Sequence, residues 1–228
     1  MGNFVDELIE RYPILESGRE DIRRASHILL TCFKQHGKLL IAGNGGSAAD
    51  AEHIVGELMK GFALPREIDA NLKAKLKNID CNMGNELSDK LQQALPAIAL
   101  CNHNSLNTAY LNDVDGQLCF AQQILGYGET GDVFLGISTS GNSANILYAA
   151  VVAKAQDMKV IALTGKDGGR LAHMADVTVA VQEQETYKVQ ELHLPIYHCL
   201  CLMVEEEMFG GAQKYEGTGF GDDFDKGE

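Results

Sequence analysis

Short apolar runs alternate with longer stretches of helical periodicity along most of this chain. Five runs have the length of a strand: residues 38–43, 96–101, 132–137, 159–164 and 176–181. They are almost continuously apolar, which is typical of parallel strands buried on both faces. Because helical stretches separate the runs, we predict an α/β fold with helices on both faces of a five-stranded parallel sheet.

Helical periodicity also marks the two ends of the pattern. Apolar residues recur at helical spacing before residue 36, with a break near Pro13, so residues 1–36 are predicted to form an N-terminal helical arm. A long final helix is predicted over residues 186–208. The main domain should therefore occupy residues 37–209.

Two segments depart from the strand and helix rhythm. Residues 63–95 contain two short amphipathic patterns and no strand, which predicts a helical insertion or lid. A surface excursion without function fits the same pattern equally well. Residues 210–228 are rich in glycine and acidic side chains, so we expect a flexible acidic tail.

Two loops rich in glycine and serine each follow a predicted strand and precede a helical stretch. They read AGNGGSAAD, residues 42–50, and GISTSGNSAN, residues 136–145. Glycines let the backbone approach a ligand, while hydroxyls and the first N–H groups of the next helix bind anions. Neither loop matches the dinucleotide or ATP signatures. A phosphorylated small molecule is therefore the predicted ligand.

Polar side chains on two helical stretches could carry chemistry. His53 and Glu57 lie four residues apart, a spacing that suits a metal site or an acid and base pair, although most such pairs are only solvated partners. The apolar final helix also carries a polar group: Gln190, Glu191, His193 and His198. Polar side chains in such a helix require partners, which are side chains, a second subunit or a metal.

Charge and cysteine content narrow the class of protein. The formal net charge is −13, from 19 Lys and Arg against 32 Asp and Glu, which argues against nucleic acid as a direct ligand. The six cysteines form no CxxC pair, no apolar run reaches a membrane span, and the first residues are acidic. We expect a cytoplasmic protein that binds neither nucleic acid nor membrane.

The two loops, LTGKDGG at residues 163–169 and VQELH at residues 189–193 together resemble the sugar isomerase (SIS) domain family. The resemblance is closest to phosphoheptose isomerases and covers about residues 22–209. It implies a three-layer flavodoxin-like fold and a homotetramer with active sites at subunit interfaces. It also implies isomerisation of sedoheptulose 7-phosphate to D-glycero-D-manno-heptose 7-phosphate through an enediol.

The resemblance assigns roles by motif position. The phosphate and substrate set it implies is Asn44, Gly45, Ser47, Asp113, Ser138, Thr139, Ser140, Ser143 and Gln190. The metal set it implies, with zinc as the ion, is His53, Glu57, Gln190 and His198. Glu57 and His198 are the catalytic candidates. Which of them is the base stays open, because a metal-bound carboxylate is a weaker base.

The zinc set carries a geometric difficulty. Gln190 and His198 are eight residues apart, which on one helix means ~12 Å along the axis and roughly 80° around it. Ligands from another subunit, or a bend near Pro195, would relax this constraint.

The sequence also departs from the family pattern. Lys60 and Gly61 stand where the family often has Gly-Arg, and Tyr187 where it can have Asp. An isomerase for a different ketose phosphate is therefore one alternative. A non-catalytic phosphosugar-binding regulator, or an adaptor like those that associate with the bacterial replication initiator, is another. Such proteins lack the residues matching Glu57 and His198, and this chain keeps both, which favours an enzyme.

Overall fold

The computed structural model, which describes residues 3–212, forms strands at all five apolar runs. The strands are β1 (Leu39–Ala42), β2 (Ala97–Ala99), β3 (Val133–Ser138), β4 (Lys159–Thr164) and β5 (Val177–Ala180). The helices in this range are α1 (Phe4–Arg11), α2 (Arg19–Lys34), α3 (Gly46–Met59), α4 (Ala70–Ile79), α5 (Cys81–Lys90), α6 (Asn104–Asp113), α7 (Cys119–Tyr127), α8 (Ala144–Ala155), α9 (Gly169–Ala172) and α10 (Thr186–Phe209).

The strands form one parallel sheet in the order β2-β1-β3-β4-β5. Leu40 in the middle of the sheet pairs with Ile98 of β2 and with Phe134 of β3. This is the flavodoxin-like order, and it reverses direction between β1 and β3. In open sheets of this kind the ligand crevice lies at that reversal, beyond the carboxyl ends of the strands. The predicted fold class is confirmed.

Successive side chains of each strand enter two separate cores. Ile41 and Leu135 pack with apolar residues of α1, α2, α3 and α10. Leu40 and Phe134 pack on the opposite face with α7, α8 and α9. Because neighbouring strand residues point to opposite faces, continuous apolar strands require helices on both sides. The result is the predicted three-layer arrangement.

The helices at the N-terminus pack into the first of these cores. A short 3₁₀ turn at Pro13–Gly18 separates α1 from α2, as the break near Pro13 predicts. Leu29 and Phe33 of α2 are buried with residues of α10. The predicted boundary between the helical arm and the main domain, after residue 36, stays a prediction. The apolar residues of α2 belong to the same core as those of the sheet and α10, so packing does not separate the arm from the domain.

The segment 63–95 forms the helices α4 and α5, and an isolated antiparallel bridge joins Glu67 to Gln92 at its base. Whether the segment is a lid stays a prediction. Beyond α10, Gly210–Ala212 form one 3₁₀ turn. The remainder of the predicted acidic tail, residues 213–228, lies outside the described residues. Within residues 3–212, no helix combines the length and apolar character needed to cross a bilayer.

Candidate active site

The first glycine-rich loop joins β1 to α3. Gly45 adopts a positive φ of 57°, which glycine tolerates without strain, and no side chain caps the start of α3. A side chain at Gly43 would collide with the backbone of Ser47, so the loop requires glycine there. Ser47 is buried and Asn44 is exposed. The uncapped first turn of α3 is suited to an anion.

The second loop joins β3 to α8. Ser143 precedes α8, yet its hydroxyl lies 3.0 Å from the Ser138 hydroxyl and does not cap the helix. The Ser140 hydroxyl accepts a hydrogen bond from the backbone N–H of Asn142. Thr139 contributes its carbonyl, which accepts the N–H of Gly165. Ser143 therefore does not cap α8, although the Asn145 side chain accepts the N–H of Ile146 within the first turn at 3.0 Å.

Paired amides join the two loops. Asn44 Nδ2 donates to Asn145 Oδ1 at 3.0 Å, and Asn145 Nδ2 donates to Asn44 Oδ1 at 2.8 Å. A cavity of about 480 Å³ opens beside this pair. Its lining is polar in part and contains Cys101, Asn107, Asp115, Gln117 and Gly45 but no Lys or Arg among the described residues. The cavity lies at the sheet reversal, where a ligand is expected.

The cavity reaches some of the predicted phosphate and substrate residues. Asn44 and Gly45 line it, whereas the predicted Ser and Thr hydroxyls do not. Asp113 is exposed near the end of α6, outside the lining, and accepts a hydrogen bond from the Asn112 side chain at 2.7 Å. Asp115 lines the cavity instead, and sequence reasoning missed it. Asp115 is the second acid of the LNDVDG segment, two residues after Asp113, so the sequence pointed to the correct segment and the wrong acid.

Three predicted residues of α3 and α10 converge in a polar cluster. His53 Nε2 lies 3.2 Å from Glu57 Oε1 and 3.4 Å from His198 Nε2. The Glu57 side chain is 15% exposed, and Lys60 Nζ lies 3.2 Å from its Oε2. Burial and the neighbouring His53 lower the pKa of His198. A neutral imidazole and a carboxylate in one cluster can accept and return protons.

Gln190 does not join this cluster in the described chain. Its side chain lies against Gly46, at the start of α3, so a Cβ at that glycine would lie 2.6 Å from Gln190 Nε2. α10 continues as one helix through Pro195. On such a helix Gln190 and His198 are ~12 Å apart along the axis. Gln190 lies near the first loop rather than beside the histidines.

The cluster has donor atoms of the kind that zinc requires. Within residues 3–212, no group of three or more His, Cys, Asp or Glu side chains is placed so that it could hold a metal ion. The distances of 3.2 and 3.4 Å around His53 Nε2 nevertheless match the separation of about 3.3 Å between ligand atoms that share a tetrahedral zinc ion. Two imidazoles and a carboxylate are ligands zinc accepts. His53, Glu57 and His198 are therefore donor types that suit the ion, although the three side chains are not placed as a metal-holding group, and Gln190 lies against Gly46.

Two further residues, Tyr197 and Asp50, contact the cluster through His53 and through each other. The hydroxyl of Tyr197 lies 3.0 Å from His53 Nδ1 and donates to Asp50 Oδ1 at 3.3 Å. Burial raises the pKa of Asp50, and burial together with Asp50 raises the pKa of Tyr197. Sequence reasoning missed both residues. Asp50 lies three residues before His53 on one helix face, so the sequence could have indicated their proximity. The contact of Tyr197 with both residues could not be predicted in this way, because it depends on how α10 packs on α3.

Comparison with known proteins gives the family. The SIS domain model matches residues 3–89 and 83–165. A phosphoheptose isomerase from a Shewanella species, strain ANA-3, is 35% identical over 210 residues, which are 91% of this chain and 93% of that protein. A phosphoheptose isomerase from a Nitratiruptor species is 38% identical over 88% of this chain and 95% of that protein. The chain belongs to the SIS domain family.

Solved SIS-domain structures agree with this membership. The phosphoheptose isomerase from Neisseria gonorrhoeae has a TM-score of 0.65 and 34% identity over 88% of this chain and 91% of that chain. The one from Francisella tularensis has a TM-score of 0.67 and 32% identity over 82% of this chain and 86% of that chain. Within the SIS family this chain is an isomerase similar to the phosphoheptose isomerases.

The remaining polar residues of α10 have structural or solvent roles in this SIS domain. His193 is fully buried, its Nε2 donates to the carbonyl of Thr164 at 3.3 Å, and burial lowers its pKa to about 4. Glu191 is exposed. Tyr187, which stands where the family can have Asp, is 58% exposed at the start of the helix.

Proposed function

We propose that this chain isomerises sedoheptulose 7-phosphate to D-glycero-D-manno-heptose 7-phosphate through an enediol. The observation that carries the proposal is the contact of His198 on α10 with His53, which lies beside Glu57 on α3, the helix that begins at the first glycine-rich loop. Aldose–ketose isomerisation needs a group that removes a proton beside the carbonyl and one that returns it to the neighbouring carbon. Glu57 and His198 supply both kinds of group.

The phosphate end of the proposed site is formed by the two loops. The hydroxyls of Ser47, Ser138, Thr139, Ser140 and Ser143 would hold the phosphate together with free N–H groups of α3 and α8. The absence of a side-chain cap from Gly45 and from Ser143 supports this assignment. The N–H groups of Ser47, Ala48 and Ile146 already have acceptors within the protein, so the remaining N–H groups of each first turn would bind the anion. Asn44 and Gly45 would shape the same end, and Asp113 stays a candidate for a sugar hydroxyl.

Proton transfer would take place at the other end of the site. His198 has a lowered pKa, so its imidazole is neutral at pH 7 and able to accept a proton. Glu57 is largely shielded from solvent, and Lys60 places a positive charge beside its carboxyl group. These two residues share the transfer steps.

We also propose that the site holds zinc. His53, Glu57 and His198 would bind the ion, and Gln190 is the fourth ligand that the family resemblance implies. Bound there, zinc would act as a Lewis acid and stabilise negative charge that develops on the substrate. The 3.2 and 3.4 Å separations around His53 Nε2 support the three-residue set.

A homotetramer with active sites at subunit interfaces is the proposed assembly, and the cytoplasm the proposed compartment. The free cysteines of the described chain, four of them buried, support a reducing compartment. Light scattering on the purified protein should return about four times the 24.8 kDa of one chain. A monomer that turns over substrate at full rate would contradict the interface site.

The decisive experiment incubates zinc-loaded protein with sedoheptulose 7-phosphate and follows formation of the aldose. Glu57→Gln and His198→Ala should each lower kcat/KM by about 10²- to 10⁴-fold. Glu52→Gln on the same helix is the matched control and should leave the rate within about twofold, because Glu52 is exposed and outside the cluster. Absence of aldose product from the intact zinc-loaded assembly would overturn the heptose assignment.

A further inference from the structure

The hydroxyl of Tyr197 bridges two side chains of α3. It lies 3.3 Å from Asp50 Oδ1 and 3.0 Å from His53 Nδ1, and Tyr197 as a whole is 2% exposed. The ring planes of Tyr197 and His53 meet at 72°, with the centroids 5.4 Å apart. The second oxygen of Asp50 is buried and has no hydrogen-bond partner in the described part of the chain. The Tyr197 hydroxyl therefore links the Asp50 carboxyl group to the His53 imidazole.

The direction of the hydrogen bonds follows from the inventory of donors. An ionised carboxylate only accepts, so the O–H of Tyr197 points to Asp50. The Tyr197 oxygen is then left to accept from His53, which requires a proton on Nδ1. In a neutral imidazole with Nδ1–H, the other nitrogen, Nε2, carries a free electron pair.

We infer that Tyr197, held by Asp50, is a positioning residue that fixes His53 as the Nδ1–H tautomer. The free pair of Nε2 then faces Glu57 Oε1 at 3.2 Å and His198 Nε2 at 3.4 Å. This inference rests on the proposed function, because it gives the Nε2 pair a use as a ligand to the proposed zinc. It concerns a residue on α10 that is outside the proposed substrate and zinc ligand sets and contacts Asp50 and His53.

The opposite tautomer would change the chemistry of the cluster. With a proton on Nε2, His53 would donate a hydrogen bond to Glu57. Neither Nε2 nor the bonded carboxylate oxygen would then have a free electron pair directed at a metal ion. With the proton on Nδ1, two acceptor atoms face each other, which is unfavourable until a cation lies between them. In the metal-free chain the hydrogen bond to Tyr197, held by Asp50, therefore has to outweigh the alternative bond from Nε2–H to Glu57. Hydrogen bonds from the outer nitrogen of a ligating histidine select this tautomer in metal sites generally.

The test measures the tautomer directly in the metal-free full chain. Nitrogen-15 NMR above the titration range of histidine distinguishes the protonated ring nitrogen from the bare one. A His53→Gln variant assigns the His53 signals among the seven histidines. The native chain should show Nδ1–H at His53, and Tyr197→Phe should move the proton to Nε2. Tyr148→Phe, at an exposed tyrosine of α8, is the matched control and should leave the His53 tautomer unchanged.

A second readout follows zinc binding by calorimetry. Tyr197→Phe should weaken zinc binding by about 10- to 100-fold, whereas Tyr148→Phe should not weaken it. Nε2–H at His53 in the native chain would overturn the inference, as would Nδ1–H that persists in Tyr197→Phe. Both measurements are independent of turnover, so a protein with Nδ1–H at His53 and no isomerase activity would refute the proposed function alone.

Discussion

Arg66 and Glu205 form an ion pair that is buried on both sides. Arg66 Nη2 lies 2.7 Å from Glu205 Oε1, and the side chains are 0% and 1% exposed. Glu205 also accepts N–H groups from residues 62–64, and Arg66 donates to the carbonyl of Leu58 at 2.7 Å. A buried pair is favourable when its remaining hydrogen-bonding capacity is used in this way. The pair fixes the chain after α3 to the last turns of α10.

Arg66→Met should therefore destabilise the protein by about 3 kcal/mol or more, because it leaves the Glu205 carboxylate buried without a countercharge. Urea unfolding with an unchanged m-value measures the loss. Lys90→Met breaks the exposed pair with Glu86 and should cost less than about 1 kcal/mol. Equal effects of the two substitutions would show that burial does not determine the energy of the Arg66 pair.

Single residues of the site differ in how far the sequence predicts them. His53 and Glu57 are four residues apart on one helix, so their contact follows from helical geometry alone. Asp50 and Tyr197 are 147 positions apart, and their contact depends on how α10 packs along α3. The same is true of Arg66 and Glu205. Gln190 shows the converse, since helical geometry predicts its separation from His198 and the structure keeps them apart.

At the scale of elements, the pair α4 and α5 forms a helical hairpin with its own packing. A side chain at Gly84 would collide with the backbone of Leu76, and the Ser88 hydroxyl bonds to the carbonyl of Gly84. No residue of α4 is buried, and Ile79 at its end is 84% exposed. The base is closed by the bridge between Glu67 and Gln92. The hairpin therefore contributes little to the two cores of the sheet.

Replacing residues 70–90 by Gly-Gly should leave the fold intact. Ile68, which is buried, stays in place, and the backbone N–H of Gln93 keeps its bond to the carbonyl of Arg66. The midpoint of thermal unfolding should change by less than about 5 °C, since the stability of the sheet does not depend on the hairpin. Loss of cooperative unfolding would contradict this. Once the fold is verified, kcat/KM of the shortened chain tests the lid interpretation.

For the whole molecule, the sequence predicts the architecture more completely than the site. Each of the five apolar runs forms a strand because a strand between two helical layers must be apolar on both faces. The order of the strands is not contained in that pattern and was not predicted, because it depends on how the helical connections cross the sheet. The cavity was not predicted in detail, because its lining combines the loop after β1 with the segment from α6 to α7 and with Asn145 of α8, which meet only when the sheet has formed.

The charge of the whole molecule bears on how a sugar phosphate binds. The chain carries a net charge of −13, and no Lys or Arg of the described residues lines the cavity. The proposed phosphate ligands are backbone N–H groups and hydroxyls, whose contacts are short and weakly affected by salt. The surrounding field, in contrast, repels an anion over a range of roughly 30 Å at 0.01 M salt and about 8 Å at 0.15 M.

Raising the salt concentration from about 0.01 to 0.15 M should therefore lower KM for the sugar phosphate by roughly twofold or leave it unchanged. A phosphate site made of lysines or arginines would respond in the opposite direction, since salt screens attraction there. Steady-state kinetics at constant pH measures the effect, and kcat serves as the control because local proton transfer should not depend on ionic strength. A several-fold increase in KM would indicate that a basic side chain, supplied by a second subunit, dominates binding, and would contradict a site based on backbone dipoles.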